Sequence, residues 1–285
     1  MTKKLNSFKA YDIRGKVPED LNEELAYKIG RAFVDQLNAK SVVVGYDIRL
    51  ESESLANALM NGITEAGADV LNIGLCGTEE VYFSTFHHKT DGGIMITASH
   101  NPKGYNGMKL VGQDSKPISG DTGLKEIEQA VLRNQFKPQK QPGLVKIQSD
   151  KTAYIKHLLT YVDLSHLKPL KIVMDAGNGS AGAVIKQIAK HLPFECIFIN
   201  ETPDGNFPNG VPNPLLPEMR SITADAVKQH QADLGIAWDG DFDRCFLFDE
   251  NAQFIEGYYL VGLLAETLLA KNPGAKIIHD PRLTW

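Results

Sequence analysis

The sequence predicts an α/β protein built of successive units, each a mostly parallel sheet flanked by helices. Three observations carry this. Short β-branched runs alternate with segments of helical spacing, the pattern of strands joined by crossover helices. The alternation runs in two series, separated by the weakly patterned stretch "RNQFKPQKQPGLVKIQSD". A chain of 285 residues, 42% hydrophobic and 23% charged, has the composition of an ordinary globular protein and room for about two domains.

In the first series, Asp20 to Glu23 reads as a capping box, and Leu25, Ile29, Phe33 and Leu37 follow on one helical face. "SVVVGYDIR" is a buried strand leaving into a polar turn. Ser52 to Ala66 repeats the helical spacing through Leu55, Leu59 and Ile63, stops at Gly67, and is followed by the strand "ADVLNIG". "GGIMITA" is the next strand, and the weakly patterned stretch after it reads as a linker or edge element. The second series runs helix "KTAYIKHLLTYV", strand "LKIVMDA", helix "AVIKQIAKHL", strand "FECIFIN", helix "SITADAVKQHQ" and strand "DLGIAW". "FLFDENAQFIEG" adds a hairpin-like pair around Glu250 and Asn251. A third series begins near Gly257 with helix "YYLVGLLAETLL" and strand "AKIIHD", so the chain is expected to be the front part of something longer.

Charge and cysteine content exclude several functions. A net charge of -5 and a pI near 5.9 argue against a nucleic-acid surface, which needs clustered Lys and Arg. No apolar h-region follows Lys3 and Lys4, and "YYLVGLLAETLLA" is too short to span a bilayer and is interrupted by Glu266. Cys76, Cys196 and Cys245 form no C-x-x-C and read as buried free thiols in a reducing compartment. A cytoplasmic protein with neither membrane nor nucleic acid as partner is the expectation, and the sequons at Asn178 and Asn200 then carry no weight.

Three loops have the residue types for chemistry. In "TASHNPKGYNGMK", Ser99 stands at the C-terminal end of a strand, where function gathers in parallel α/β folds. Asn101-Pro102, Gly104 and Asn106-Gly107 are equally the makings of an ordinary turn. No G-x-S-x-G surrounds the serine, and its neighbour His100 suits a base, an orienting group or a hydrogen-bond donor to phosphate. In "AWDGDFDRC", Asp239, Asp241 and Asp243 alternate behind an apolar strand, a costly arrangement unless a cation such as Mg2+ or Ca2+ neutralises it. An EF-hand is a poor fit, because Arg244 stands where that loop needs glycine. In "DAGNGSAG", Gly177, Gly179 and Gly182 match a dinucleotide fingerprint, with Glu201 about 20 residues on; the plainer reading is a tight βα turn.

Taken together, "AYDIRG", "TASHNPKGYNGMK" and "DGDFDR" resemble the alpha-D-phosphohexomutase superfamily, the phosphomannomutases and phosphoglucomutases, over essentially the whole chain. "DGNFPNGVPNPLLPE" and "GAKIIHDPRLTW" look most like the bacterial phosphomannomutases that feed GDP-mannose synthesis. The resemblance implies related α/β domains with mixed, mostly parallel sheets: 1–145 as domain I, 146–255 as domain II and 256–285 as the start of a truncated domain III. It implies that Ser99 is a phosphoserine exchanging its phosphoryl group with a mannose or glucose phosphate, through a hexose 1,6-bisphosphate. It implies that Asp239, Asp241 and Asp243 bind Mg2+ with a phosphoserine oxygen. Tyr11, Arg14, Lys109, His100 and Arg244 fall around the phosphoryl group and substrate, with Arg282 in "HDPR" as a further cationic contact. Lys109 and His100 are both candidates for general base.

The chemistry suits these residue types. A phosphoserine brings about -1.5 to -2 charge to a site already holding three carboxylates, so Arg14, Lys109 and Arg244 have an electrostatic task. The family's sugar-selecting loop falls beyond Trp285, which leads us to expect a chain that holds metal and phosphoserine yet turns over poorly. "CGTEE" stands where many relatives have Thr followed by Pro. Rival readings are a nicotinamide-dependent oxidoreductase using Gly177, Gly179, Gly182 and Glu201, an aspartyl phosphatase using the D-x-D run, and a non-catalytic phosphosugar-binding fragment.

Overall fold

Two mixed sheets, each with helices packed on both faces, organise the chain. The computed structural model describes residues 4–136 and 141–279. The first sheet is made by β1 (Ile13–Lys16), β2 (Ser41–Tyr46), β3 (Asp69–Leu75), β4 (Gly92–Ile96), β5 (Tyr105–Gly112) and β6 (Val145–Ile147). They stand in the order β1-β5-β4-β2-β3-β6, antiparallel from β1 to β4 and parallel from there on. Between them run α1 (Glu23–Leu37), α2 (Ser52–Glu65), α3 (Thr78–His87) and α4 (Leu124–Arg133). After α5 (Thr152–Leu159), the second sheet takes β7 (Lys171–Asp175), β8 (Glu195–Ile199), β9 (Leu234–Trp238), β10 (Cys245–Phe248) and β11 (Phe254–Ile255), in the order β11-β10-β9-β7-β8. The helices α6 (Gly182–Ala189) and α7 (Ser221–His230) cross over its parallel part.

The two sheets repeat one topology. β3-β2-β4-β5 and β8-β7-β9-β10 both place the second strand beside the first, then the third, then an antiparallel fourth. Strand alternation sends neighbouring residues to opposite faces. Val42 and Val44 accordingly pack with Ile29, Phe33, Leu55 and Leu59 under α1 and α2, while Val43 packs with Val81 under α3. In the second sheet Val173 joins Val227 beneath α7, and Ile172 and Met174 join Ile185 beneath α6.

Several expectations need adjustment. Asn22, not Asp20, caps α1: its side chain accepts from Leu25 N at 3.0 Å. Asp20 instead accepts from Lys16 N and from the Asn6 side chain. The weakly patterned stretch does contain an edge strand, β6, which begins at Val145 and pairs with β3 of the first sheet. Residues 275–279 of "AKIIHD" are irregular rather than a strand, because a strand exists by its ladder and no described strand pairs with them. The helix before them, α8 (Gly257–Lys271), has no buried residue despite its apolar sequence. Among the described residues, no helix is long and apolar enough to cross a membrane.

Helices α1 and α2 touch backbone to backbone through Gly30 and Gly62. A Cβ on Gly62 would overlap the Tyr27 carbonyl oxygen, and one on Gly30 the Leu59 carbonyl oxygen. Alanine at a helix interior gains up to about 1 kcal/mol of propensity over glycine. Forced separation of a packed pair costs about 1–3 kcal/mol or more, so the clash wins. Gly62→Val, with two further methyl groups to place, is expected to lower unfolding stability by about 3 kcal/mol, seen as a lower urea midpoint. An unchanged midpoint would show that the helices part without cost.

Candidate active site

Both chemically distinctive loops occupy the same place in the repeated topology, between the third strand and its antiparallel fourth. Residues 97–104 join β4 to β5, and residues 239–244 join β9 to β10. The sheets are set so that these loops meet. Ser99 Oγ donates to Asp239 Oδ2 at 2.7 Å, across 140 residues of sequence. Gly240 permits the approach, since a Cβ there would lie 2.7 Å from the Ser99 carbonyl oxygen.

Ser99 is only 5% exposed and holds a left-handed backbone, φ 50°, which is uncommon for a residue other than glycine, asparagine or aspartate. Its N–H donates to Thr97 Oγ1 at 2.8 Å. Its hydroxyl accepts from Arg244 Nη2 at 2.7 Å and lies 3.2 Å from His100 Nδ1. Arg244 Nη2 also meets His100 Nδ1, so that nitrogen is the acceptor and the imidazole is neutral. Burial, then the charges of Arg244 and Arg14, lower the His100 pKa.

The acidic side of the site is dense. Asp239 and Asp241 are fully buried, Asp243 lies at the rim, and one oxygen of each falls within 4.8 Å of the others. From β5, Lys109 Nζ reaches Asp241 Oδ2 at 2.6 Å and Asp243 Oδ2 at 2.5 Å. At the first turn of α3, Thr78 donates its hydroxyl to Asp241 Oδ2 (2.5 Å) and its N–H to the Asp241 carbonyl (3.1 Å). Arg244 pairs with Asp239 and lies 3.6 Å from Asp243. Burial first, and then repulsion from Asp241, pushes the Asp239 carboxyl up to about 6. Burial would raise Asp241 too, but the contacts of Lys109 and Thr78 overcome it and hold the group at about 2. Lys109 in turn is held well above the usual lysine range by these two carboxylates, which outweigh its burial.

Two cations against three carboxylates leave the cluster one charge short of neutral. Asp241 Oδ1 is buried with no hydrogen-bond partner. An oxygen-only donor set with a spare buried carboxylate oxygen fits a hard divalent cation. The three aspartates are therefore a sound candidate metal site.

The remaining expected residues divide. Arg14, on β1, donates to Asn101 Oδ1 at 3.2 Å and pairs with Asp12, which puts it behind the serine loop. Tyr11 is 82% exposed and is tied to the cluster by no described hydrogen bond. Arg282 lies outside the described residues. The glycine loop is not arranged for a dinucleotide. Gly177 N donates to Asp175 Oδ1, Asn178 N to Asn200 O, Gly179 N to Ala176 O and Ser180 N to Gly240 O. Those are the donors a pyrophosphate would need. Glu201 pairs with Lys186, and a Cβ on Gly182 would overlap the Glu201 carbonyl oxygen. The glycines serve close backbone packing, and through Ser180 and Gly179 they brace the Asp239–Arg244 loop.

Sequence reasoning passed over Arg49, Asp47 and Thr97, all buried beside the serine loop. A signal was available for the first two, since "GYDIR" is a charged turn at the C-terminal end of a buried strand, like the serine loop itself.

Comparison with known proteins gives a consistent outcome. Residues 5–138 match the family described as phosphoglucomutase/phosphomannomutase, alpha/beta/alpha domain I, and residues 152–253 match its alpha/beta/alpha domain II. A protein of Xanthomonas campestris named "phosphohexose mutases" is 59% identical over 281 residues, covering 99% of this chain and 63% of its own length. A phosphomannomutase of Escherichia coli is 59% identical over 289 residues, with coverage of 99% and 63%. A crystal structure of a phosphoglucomutase/phosphomannomutase family protein from Burkholderia thailandensis superposes with a TM-score of 0.87 at 34% identity, covering 94% of this chain and 60% of that one. The chain thus spans about 63% of the length of the curated relatives it matches.

Proposed function

The chain belongs to the phosphoglucomutase/phosphomannomutase family, and from that premise we propose that it carries the phosphoryl-transfer site of a phosphohexomutase interconverting mannose 6-phosphate and mannose 1-phosphate. The observation that carries the reading is Ser99 Oγ, buried, 2.7 Å from both Asp239 and Arg244. A hydroxyl set between an acidic metal site and an arginine is placed to bear a phosphoryl group. The same reading includes the division at 1–145, 146–255 and 256–285, a cytoplasmic location, and supply of GDP-mannose synthesis.

In this mechanism the O1 hydroxyl of the 6-phosphate attacks phosphorus in line. The bond from phosphorus to Ser99 Oγ breaks as the bond to O1 forms, and the O1 proton passes to a base. His100 takes that role through Nδ1, which is freed as Arg244 turns from it to the phosphoryl group, whereas Lys109 is fixed as an ammonium between two carboxylates. Arg244 steadies charge on the departing Oγ. The bisphosphate then turns over, Ser99 Oγ attacks its other phosphorus, the bond from that phosphorus to O6 breaks, and the protonated base gives its proton to O6. Asp239, Asp241 and Asp243 would hold Mg2+, which would supply positive charge to offset that of the phosphoryl group.

Incubating the chain with Mg2+ and mannose 1,6-bisphosphate is expected to add about 80 Da, the mass of one phosphoryl group, mapping to Ser99. Intact mass and peptide mapping check it. Absence of uptake at Ser99, with the aspartates loaded with metal, would leave only a binding function for the chain.

A further inference from the structure

Arg49 touches none of the side chains assigned so far to the reaction, yet it is 4% exposed and all four of its Nη hydrogens are committed, while Nε has no hydrogen-bond partner. Nη2 donates to the carbonyls of Ser99 (2.8 Å) and Asn101 (2.6 Å). Nη1 donates to those of Pro102 and Tyr105, both at 3.1 Å. Nε faces Asp47 Oδ2 at 3.5 Å. Asp47 is itself fixed by the Ser52 hydroxyl (2.5 Å) and the Arg49 N–H (3.0 Å). From the second sheet's side, the ring of buried Phe207 lies 5.6 Å from the guanidinium, delivered by the "DGNFPNG" motif that the mechanism leaves without a task.

We infer that Arg49 is a positioning residue that holds Ser99 in its left-handed conformation, so that Oγ faces the aspartates and Arg244. This rests on the reading of Ser99 as the phosphoryl carrier. A non-glycine residue at φ 50° persists only when its surroundings over-determine it. Here the two peptide planes flanking Ser99 are pinned separately: its N–H by Thr97 Oγ1, its C=O by Arg49. With both planes fixed, the direction of the side chain is fixed too. If the carbonyl is released, the backbone is free to relax to negative φ, which swings Oγ out of the cluster. The fork geometry matters more than the charge. Lysine has three hydrogens on one atom and cannot serve four carbonyls spread over residues 99–105.

The test uses Arg49→Lys, with Phe207→Leu as a milder second variant that leaves every hydrogen bond of Arg49 in place. Four quantities are read: thermal melting, Mg2+ affinity by calorimetry, amide exchange over residues 97–107, and the rate of phosphoryl uptake at Ser99 from mannose 1,6-bisphosphate. Folded Arg49→Lys is expected to exchange at least about tenfold faster in that loop. Its phosphoryl uptake is expected to slow by about a hundredfold or more, as for a reacting atom misplaced by about 1 Å. Mg2+ affinity should stay within about threefold of the parent, because no metal ligand is touched. Phe207→Leu should shift exchange and uptake in the same direction by less. Parental exchange and uptake in folded Arg49→Lys would overturn the inference, as would uptake that falls only in step with the folded fraction. Should Arg49→Lys fail to fold, Phe207→Leu decides on the same measurements. If the parent chain takes up no phosphoryl group at all, the carrier reading fails, and loop exchange alone still shows whether Arg49 holds Ser99.

Discussion

Replacing Ser99 with alanine is expected to abolish phosphoryl uptake outright, leaving no species heavier by about 80 Da after incubation with Mg2+ and mannose 1,6-bisphosphate. The effect is large because, among the described residues, no other hydroxyl bonds both Asp239 and Arg244. Thr78 is buried nearby, but its hydroxyl is spent on Asp241 and accepts from Lys109. Thr97 is buried as well, and its oxygen holds the Ser99 N–H. The alanine variant should fold as the parent does, since the hydroxyl is small and Arg244 keeps its pairing with Asp239. The same experiment separates the rival chemistry. If an aspartate were the carrier, as in phosphatases that use a D-x-D run, the added mass would survive Ser99→Ala and be removed by hydroxylamine, because an acyl phosphate is labile to it. Survival of the adduct in that form would move the phosphoryl group to the Asp239–Asp243 loop.

Much of this site was legible because its two halves are local. Ser99 and the three aspartates each sit in a short polar run behind an apolar strand, and the end of a strand is where such folds place their chemistry. What could not be read is that the two runs occupy equivalent positions in a repeated topology. That follows from β5 and β10, the antiparallel strands after each loop. β10 was anticipated within the hairpin around Glu250 and Asn251. β5 was not, because Asn106-Gly107 reads as a turn, whereas Gly107 is there to let the strand approach the Ile13 carbonyl on β1. α3 escaped for a different reason. Its buried face is made of Thr78, Glu80, Val81, Ser84 and Thr85, so no apolar stripe marks it. Its N-terminus nonetheless delivers Thr78 to Asp241. Arg49 is the clearest case, since its four acceptors are backbone carbonyls, which carry no side-chain signature.

The metal site yields the second large effect, and its sign separates two residues that share one ion pair. Asp241→Asn keeps the shape of the side chain and removes its charge, and Lys109→Met removes the ammonium that faces it. Both break the same contact. For Mg2+ they should act in opposite directions, because Lys109 and a cation compete for the same oxygens, Asp241 Oδ2 and Asp243 Oδ2. Losing one of three anionic ligands, the one with a spare buried oxygen, is expected to weaken Mg2+ binding by about a hundredfold or more. Losing the competing cation is expected to tighten it by about tenfold. Thermal melting reads both. A cation at about 100 times its dissociation constant stabilises the folded state by about 2.7 kcal/mol, a rise in Tm that Asp241→Asn should abolish and Lys109→Met should preserve at lower Mg2+. Calorimetry gives the constants directly. Should Lys109→Met lose Mg2+ as Asp241→Asn does, the lysine would be supporting the site rather than competing for it. Its place in transfer would then be to orient the aspartates.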